Sequence, residues 1–259
     1  MPKIVVREMQ KADEYFVGTC SHMRESEEID VAANKRLAWF HEMKQQGLSI
    51  KVARLDKQPI GILYLIPIEH SPWGPLGHEL LIIPCLFVIS KAQGQGAGRA
   101  LIEAAEVEAE KQDAKGLATI AYDHDFWFMP MSFFEAHGFT DTDRQDSTVL
   151  MWKPFDSTAE RPRLLQGQYT FTPAPGKVVI DLFWTLFCQT SAIEVQRVRE
   201  VAAEFGDDVV LREYQAEARE TLLKYQIPRA IYVNGREIGW GYEAPKEGIR
   251  EAIAKALEQ

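Results

Sequence analysis

Apolar and polar positions follow two rhythms along this chain. From residue 80 to residue 89 nearly every position is apolar: Leu80, Leu81, Ile82, Ile83, Leu86, Phe87, Val88 and Ile89. A run of that kind predicts a strand buried on both faces. It stops at Ser90 and gives way to a glycine-rich turn holding Gly94, Gly96 and Gly98. Beyond the turn, Leu101, Ala104, Ala105 and Val107 recur between Glu103, Glu106, Glu108 and Glu110. That spacing predicts an amphipathic helix with an acidic outer face. Further apolar runs predict strands over residues 3–9, 49–55, 60–68, 116–123 and 149–155. Asp56-Lys57-Gln58-Pro59 joins the second and third of these as a hairpin. Residues 14–47 read as mostly helical, interrupted by an acidic loop at 24–30 and stopped by Gly47. Prolines and glycines between His70 and His78 mark a loop, and Pro162, Pro173 and Pro175 mark a linker over 156–176. After it come an apolar strand from Val178, a helix from about Ser191 to Phe205, a strand before the Asn234-Gly235 turn, and a last helix over 246–257.

Composition narrows the class. A chain of 259 residues holds one or two domains, and 46% hydrophobic with 26% charged residues is ordinary for a globular protein. The net charge of −9 and the lack of a basic cluster argue against a nucleic-acid partner. The longest apolar run is too short to span a bilayer, and the first residues carry no signal-peptide pattern, so no membrane partner and a cytoplasmic location are expected. Cys20, Cys85 and Cys188 show no metal-ligand spacing, so neither a bound metal nor a structural disulfide is expected.

A strand, a glycine turn and a helix start together make an anion site. The first N–H groups of a helix have no internal partner, and the helix dipole adds partial positive charge there. Glycine removes the Cβ atoms that would hold a phosphate away. A tight structural turn would use the same glycines. No lysine follows to complete a Walker loop, and Arg99 stands where a dinucleotide fingerprint needs its third glycine. What remains is Gln93-x-x-Gly96-x-Gly98. In this context it resembles the acetyl-CoA signature of the GNAT N-acetyltransferases, Arg/Gln-x-x-Gly-x-Gly/Ala. Phe134-Glu-Ala-His-Gly138-Phe139 resembles the Tyr-x-x-x-Gly-Phe segment of the same family, and the order of elements over residues 3–155 agrees.

The resemblance implies a GNAT acyl-CoA N-acyltransferase fold over residues 1–155 and acetyl-CoA as cosubstrate. The pantetheine would lie along Leu86, Phe87 and Val88, where a backbone N–H near Leu86 or Phe87 would polarise the thioester. The pyrophosphate would rest on the turn, with Gln93, Gly94, Gln95, Gly96, Ala97, Gly98 and Arg99 as cofactor-binding residues, and Phe133 beside them. The acceptor would be an amine of a small molecule or peptide. Trp73, His70 and His78 are candidates for its wall, and the acidic loop at 24–30 could draw a cationic one. Glu79, at the start of the central strand, is the candidate base. Many family members protonate the departing thiolate with a tyrosine where this chain has Phe134, which has no proton to give. Tyr122, His124 or solvent would then serve, or the domain would be catalytically slow.

A second constellation follows at residues 177–259. Phe183-Trp184-x-x-Phe187-Cys188, Asp181 and Ile227-Pro228 resemble the active-site approach, the buried acid and the cis-proline position of thioredoxin. Ser191 stands where the second cysteine of Cys-x-x-Cys would be. A cysteine at a helix start has its thiolate stabilised, and without a resolving partner it is limited to mixed disulfides. Cys188 is thus a third candidate catalytic residue, or a remnant in a domain kept for binding or for a homodimer. The fold class is α/β (α+β): a GNAT domain followed by a small thioredoxin-like domain, an order that resembles the YoaP-like acetyltransferases. The competing function is a monothiol thioredoxin-like redox or binding protein using Cys188, with the first domain as acyl-CoA sensor.

Overall fold

The apolar runs pair into two separate sheets, and the chain divides into two units. The structure, a computed structural model, describes residues 3–124 and 128–259. Asp125, Phe126 and Trp127, part of the aromatic stretch ahead of the Gly138-Phe139 segment, lie outside the described residues. Residues 1–23 and 40–165 make the first unit, and residues 24–39 with 166–259 make the second.

The chain opens with β1 (Ile4–Glu8), α1 (Glu14–Gly18), α2 (Glu27–Met43), β2 (Ser49–Leu55) and β3 (Gln58–Pro67). Next come β4 (Leu81–Ile83), β5 (Leu86–Val88), α3 (Ala97–Lys111), β6 (Gly116–Tyr122), α4 (Met131–Glu135), β7 (Thr140–Gln145) and β8 (Thr148–Pro154). The strands of the first unit form one sheet in the order β1-β2-β3-β4-β6-β8-β7, with β5 also on β3. Among the described residues of this sheet, β4 and β6 are the one parallel pair. Helix α3 turns Ala97, Leu101, Ile102, Ala105 and Ala109 onto Leu63, Leu65, Leu81, Ile83 and Leu117 of the sheet. Full burial of a leucine such as Leu101 stabilises by about 1.5–3 kcal/mol. Truncating it to alanine would cost about 2–5 kcal/mol, because the cavity cannot fully close.

Two expectations are corrected here. The run at 80–89 is not one strand. Proline at 84 has no N–H to give the ladder, and the register against β3 slips by one residue across Pro84-Cys85, from Ile66↔Ile82 to Ile62↔Phe87. β4 is buried, whereas β5 is only half-buried. The acidic stretch at 24–30 is not a loop throughout, because α2 begins inside it. Ser26 Oγ accepts the Ile29 N–H at 3.2 Å, and Glu27, Glu28 and Asp30 occupy the first turn. Acidic side chains are favoured there by the helix dipole.

The second unit contains β9 (Val178–Trp184), α5 (Gln189–Glu204), β10 (Val209–Gln215), α6 (Arg219–Tyr225), β11 (Ala230–Val233), β12 (Arg236–Ile238) and α7 (Lys246–Leu257). Its strand order is β10-β9-β11-β12; β10 is parallel to β9, while β11 is antiparallel to both neighbours. Val195, Val198 and Val201 of α5 and Ile249 and Ile253 of α7 pack with Ile180, Leu182 and Ile231 of the sheet. Phe183, Ile227 and Ala230 form another cluster with Tyr169, Tyr214, Tyr225 and Tyr232.

Candidate active site

The break after β4 opens a cleft in the first unit. β4 holds β6 through Leu81↔Leu117 to Ile83↔Thr119, but β5 pairs with β3 alone. β6 runs on to Tyr122, so β5 and the end of β6 part. Which backbone groups of β5 face the gap follows from strand parity. The Tyr64 N–H donates to the Cys85 carbonyl at 3.2 Å, and the Ile89 N–H donates to the Ile60 carbonyl at 2.9 Å. Antiparallel ladders bond every second pair, so Ile62 and Phe87 bond as well. Leu86 and Val88 therefore turn their N–H and C=O groups away from β3, toward the cleft. Of the two N–H groups proposed to polarise a thioester, only that of Leu86 faces the right way.

The cleft has a volume of about 460 Å³. Ten of the eleven cofactor-binding candidates line it: Leu86, Phe87, Val88, Gln93, Gly94, Gly96, Ala97, Gly98, Arg99 and Phe133. Gln95 is outside the lining, and its side-chain amide donates to the Lys91 carbonyl at 3.0 Å. Sequence reasoning did not assign Met129, Pro130 and His137 to this wall. They sit on or next to the short α4, which has too few residues to show a helical period.

At the turn the start of α3 is open. Gly96 is the N-cap of α3 with φ +86°, and no side chain caps this helix start. The first helical bond runs from the Ala100 N–H to the Gly96 carbonyl at 3.0 Å. The N–H groups of Ala97, Gly98 and Arg99 precede it and lie at the positive end of the helix. A Cβ on Gly94 or Gly96 would meet nothing within 4 Å. Gly98 has a different role from the one the pattern suggested. A Cβ there would touch the Phe133 ring at 3.0 Å, so this glycine admits an aromatic side chain, not a phosphate. The Gln93 side-chain amide donates to the Val88 carbonyl at 3.1 Å and ties the turn to β5.

The catalytic candidates do not converge. Glu79 lies at the far end of β4 from the cleft, 63% exposed, with its carboxylate 2.6 Å from Lys115 Nζ. That carboxylate raises the Lys115 ammonium above its ordinary value. Tyr122 ends β6 at the parting strands; its ring stacks on His124 at 5.2 Å, and its N–H donates to the Met129 carbonyl at 2.9 Å. Neither residue is in the cleft wall, nor are Trp73, His70 and His78. Phe134 does line the cleft, fully buried and edge-on to Phe133 at 5.1 Å and Phe139 at 5.5 Å.

Cys188 belongs to the second unit, where it is the N-cap of α5 and half-buried. Arg229 lies near it, and Cys188 is a lesser contributor to the charge environment of that guanidinium. Burial works against the Arg229 charge, but the Glu194 carboxylate at 2.9 Å outweighs it and holds the guanidinium above its ordinary value. Ser191 is buried, and its hydroxyl accepts the Thr185 N–H at 3.0 Å. The Phe187 carbonyl accepts Arg36 Nε at 3.0 Å. Asp181 is buried beneath the hydroxyls of Tyr169 at 2.7 Å and Tyr214 at 3.1 Å. With that carboxylate as neighbour, burial pushes the Tyr214 phenol up to about 12. The Ile227–Pro228 bond is trans, since the cis bond among the described residues precedes Pro75.

Residues 45–141 match the family model described as Acetyltransferase (GNAT) domain. The match marks the chain as an acyltransferase. No curated protein matches the chain. Among solved structures, the PaiA N-acetyltransferase of Thermoplasma acidophilum, in complex with coenzyme A, is similar at 16% identity and a TM-score of 0.42, over 59% of this chain and 99% of that one. The ribosomal-protein-alanine N-acetyltransferase of Brucella melitensis is similar at 17% identity and a TM-score of 0.44, over 58% of this chain and 99% of that one. A GNAT family acetyltransferase of Elizabethkingia anophelis, with acetyl-CoA bound, is similar at 14% identity and a TM-score of 0.38, over 58% of this chain and 97% of that one.

Proposed function

We propose that the first unit moves the acetyl group of acetyl-CoA to the amine of a small molecule or peptide. One observation carries the reading: a strand edge with outward-turned backbone groups and an uncapped helix start line the same cleft. The N–H groups of Ala97, Gly98 and Arg99 would take the pyrophosphate. The edge of β5 would pair with the pantetheine amides, and the Leu86 N–H would point at the thioester oxygen. Tyr122, at the apex of the parting strands, is the candidate proton donor to the departing thiolate. Calorimetry with acetyl-CoA, followed by an amine panel scored for acetylation, tests the assignment. Binding is expected in the micromolar range typical of such sites. Absence of binding would end the reading.

The second unit supports a further, thioredoxin-like reading. Its strand order, with one parallel pair and a C-terminal antiparallel hairpin, suits that fold, and Cys188 begins a 16-residue helix. The N–H groups at that helix start have no partner within the helix and lie beside the sulfur-bearing residue. Cys188 is expected to label with iodoacetamide faster than Cys20 or Cys85 at neutral pH, as mass-resolved labelling would show. Equal rates would leave a binding role for this unit.

A further inference from the structure

The cleft contains a residue that no part of the proposed reaction uses. Met129 bridges the two parting strands. Its carbonyl accepts the Tyr122 N–H at 2.9 Å from the end of β6, and its Sδ accepts the Leu86 N–H at 3.2 Å from the start of β5. It is 3% exposed, lines the cleft and packs with the sheet core. Its φ is +47°, in the left-handed region that a residue with a β-carbon rarely adopts. The backbone thus holds an unfavourable conformation while the thioether reaches one particular N–H. Strand parity makes that N–H the one on β5 that faces the cleft at its inner end. A thioether is a weak acceptor. It pairs a half-buried donor on the cleft wall, yet it yields to a carbonyl oxygen.

From this geometry we propose that Met129 is an internal stand-in for the acyl carbonyl and lowers the preference of the cleft for acyl-CoA over CoA. The inference rests on the acetyl-CoA reading of the cleft. With no ligand, the sulfur occupies the Leu86 N–H. An arriving thioester brings a stronger acceptor, takes the N–H and displaces the side chain. Once the acetyl group has left, the free thiol of CoA offers no carbonyl oxygen to hold that N–H. The sulfur then returns to it, so the N–H is paired with CoA bound as it is in the empty cleft, and only acetyl-CoA has to displace the thioether.

The test compares the affinities of acetyl-CoA and CoA for the full-length wild type, Met129→Leu and Met129→Gln by calorimetry. Leucine keeps the bulk but removes the acceptor, leaving the Leu86 N–H unpaired until a carbonyl arrives. The preference for acetyl-CoA should therefore rise by up to about fivefold, the worth of one ordinary hydrogen bond, because acetyl-CoA no longer has to displace the sulfur. Glutamine offers an amide oxygen that competes with the thioester, and the preference should fall. Met129→Leu decides the matter by itself: an affinity ratio unchanged from wild type overturns the proposal. If the wild type binds neither ligand, the acetyl-CoA reading has failed. If it binds both and the ratio does not move, that reading stands and the role of Met129 is lost.

Discussion

At the scale of single residues, Gly96 and Gly98 look alike in the sequence and differ in the structure. Gly96 combines φ +86° with open space where a Cβ would point, while Gly98 is helical and lies under the Phe133 ring. Gly96→Glu would therefore send a carboxylate into the cradle, where it repels a phosphate. Its left-handed backbone would cost about 1–2 kcal/mol. The expected outcome is loss of acetyl-CoA binding in calorimetry, with a melting curve only slightly lowered. Gly98→Ala should instead displace Phe133 and weaken binding only in part. Wild-type affinity in Gly96→Glu would remove the phosphate from this turn. The glycines announced a cradle because their spacing encodes backbone freedom. They could not announce which of them faces a ligand, since that depends on where Phe133 falls in three dimensions. Met129 was silent for the same reason: nothing local to it marks the Leu86 N–H across the cleft.

At the scale of elements, α3 is held to the sheet by charge as well as by its apolar face. Glu108 is nearly buried, with Lys51 Nζ of β2 at 2.6 Å, Gln112 Nε2 at 2.9 Å and Lys111 Nζ at 3.2 Å. Burial opposes its charge, but the hydrogen bonds from Lys51 and Gln112 outweigh that and hold the carboxyl below its ordinary 4.5. A carboxyl with a depressed folded value adds stability above the unfolded value, and that stability is lost as pH falls through the folded value. Glu108→Gln leaves the buried Lys51 ammonium to Glu8 alone, at 3.1 Å, and should cost about 3 kcal/mol at neutral pH. The gap between the variant and the wild type in denaturant melts should close as pH is lowered through the carboxylate range. A gap that does not change with pH would show that the pair adds no charge-dependent stability. The helix itself was legible in the sequence from the period of its apolar positions, but two of its positions were misassigned: Val107, read as apolar face, is 66% exposed, and Glu108, read as outer face, is buried because Lys51 of β2 pairs with it. The division of 80–89 into β4 and β5 was not, because both halves are equally apolar and only Pro84 interrupts the ladder. β7, Thr-Asp-Thr-Asp-Arg-Gln, has no apolar alternation at all. It ends the sheet order and pairs only with β8, where burial does not constrain sequence.

At the scale of the whole molecule, the second unit is not a contiguous piece of sequence. It includes residues 24–39 as well as 166–259. Ile29 and Ala32 cluster with Ala192 and Ile193 of α5. Arg197 grips Glu28 through two bonds of 2.8 and 2.6 Å. Arg36 is 1% exposed and donates to the Phe187 carbonyl immediately before Cys188, and Trp39 meets Phe187 edge-on at 6.3 Å. A binary pattern tells a helix which face is apolar, but not which part of the chain that face will meet, so this membership could not be read from the sequence. It has a consequence for dissection of the protein. A fragment of residues 166–259 leaves Arg197 without Glu28 and exposes Ala192 and Ile193. The same fragment with residues 24–39 attached through a flexible Gly/Ser linker restores all of these contacts. Loss of the half-buried pair and the apolar cluster should cost about 2 kcal/mol, which in a domain of this size lowers the melting midpoint by about 10 °C. The Phe187 carbonyl also loses its Arg36 partner, so iodoacetamide should label Cys188 at a different rate in the two fragments. Thermal melts by circular dichroism compare the midpoints directly. Equal midpoints would mean that residues 24–39 rest on the second unit without stabilising it.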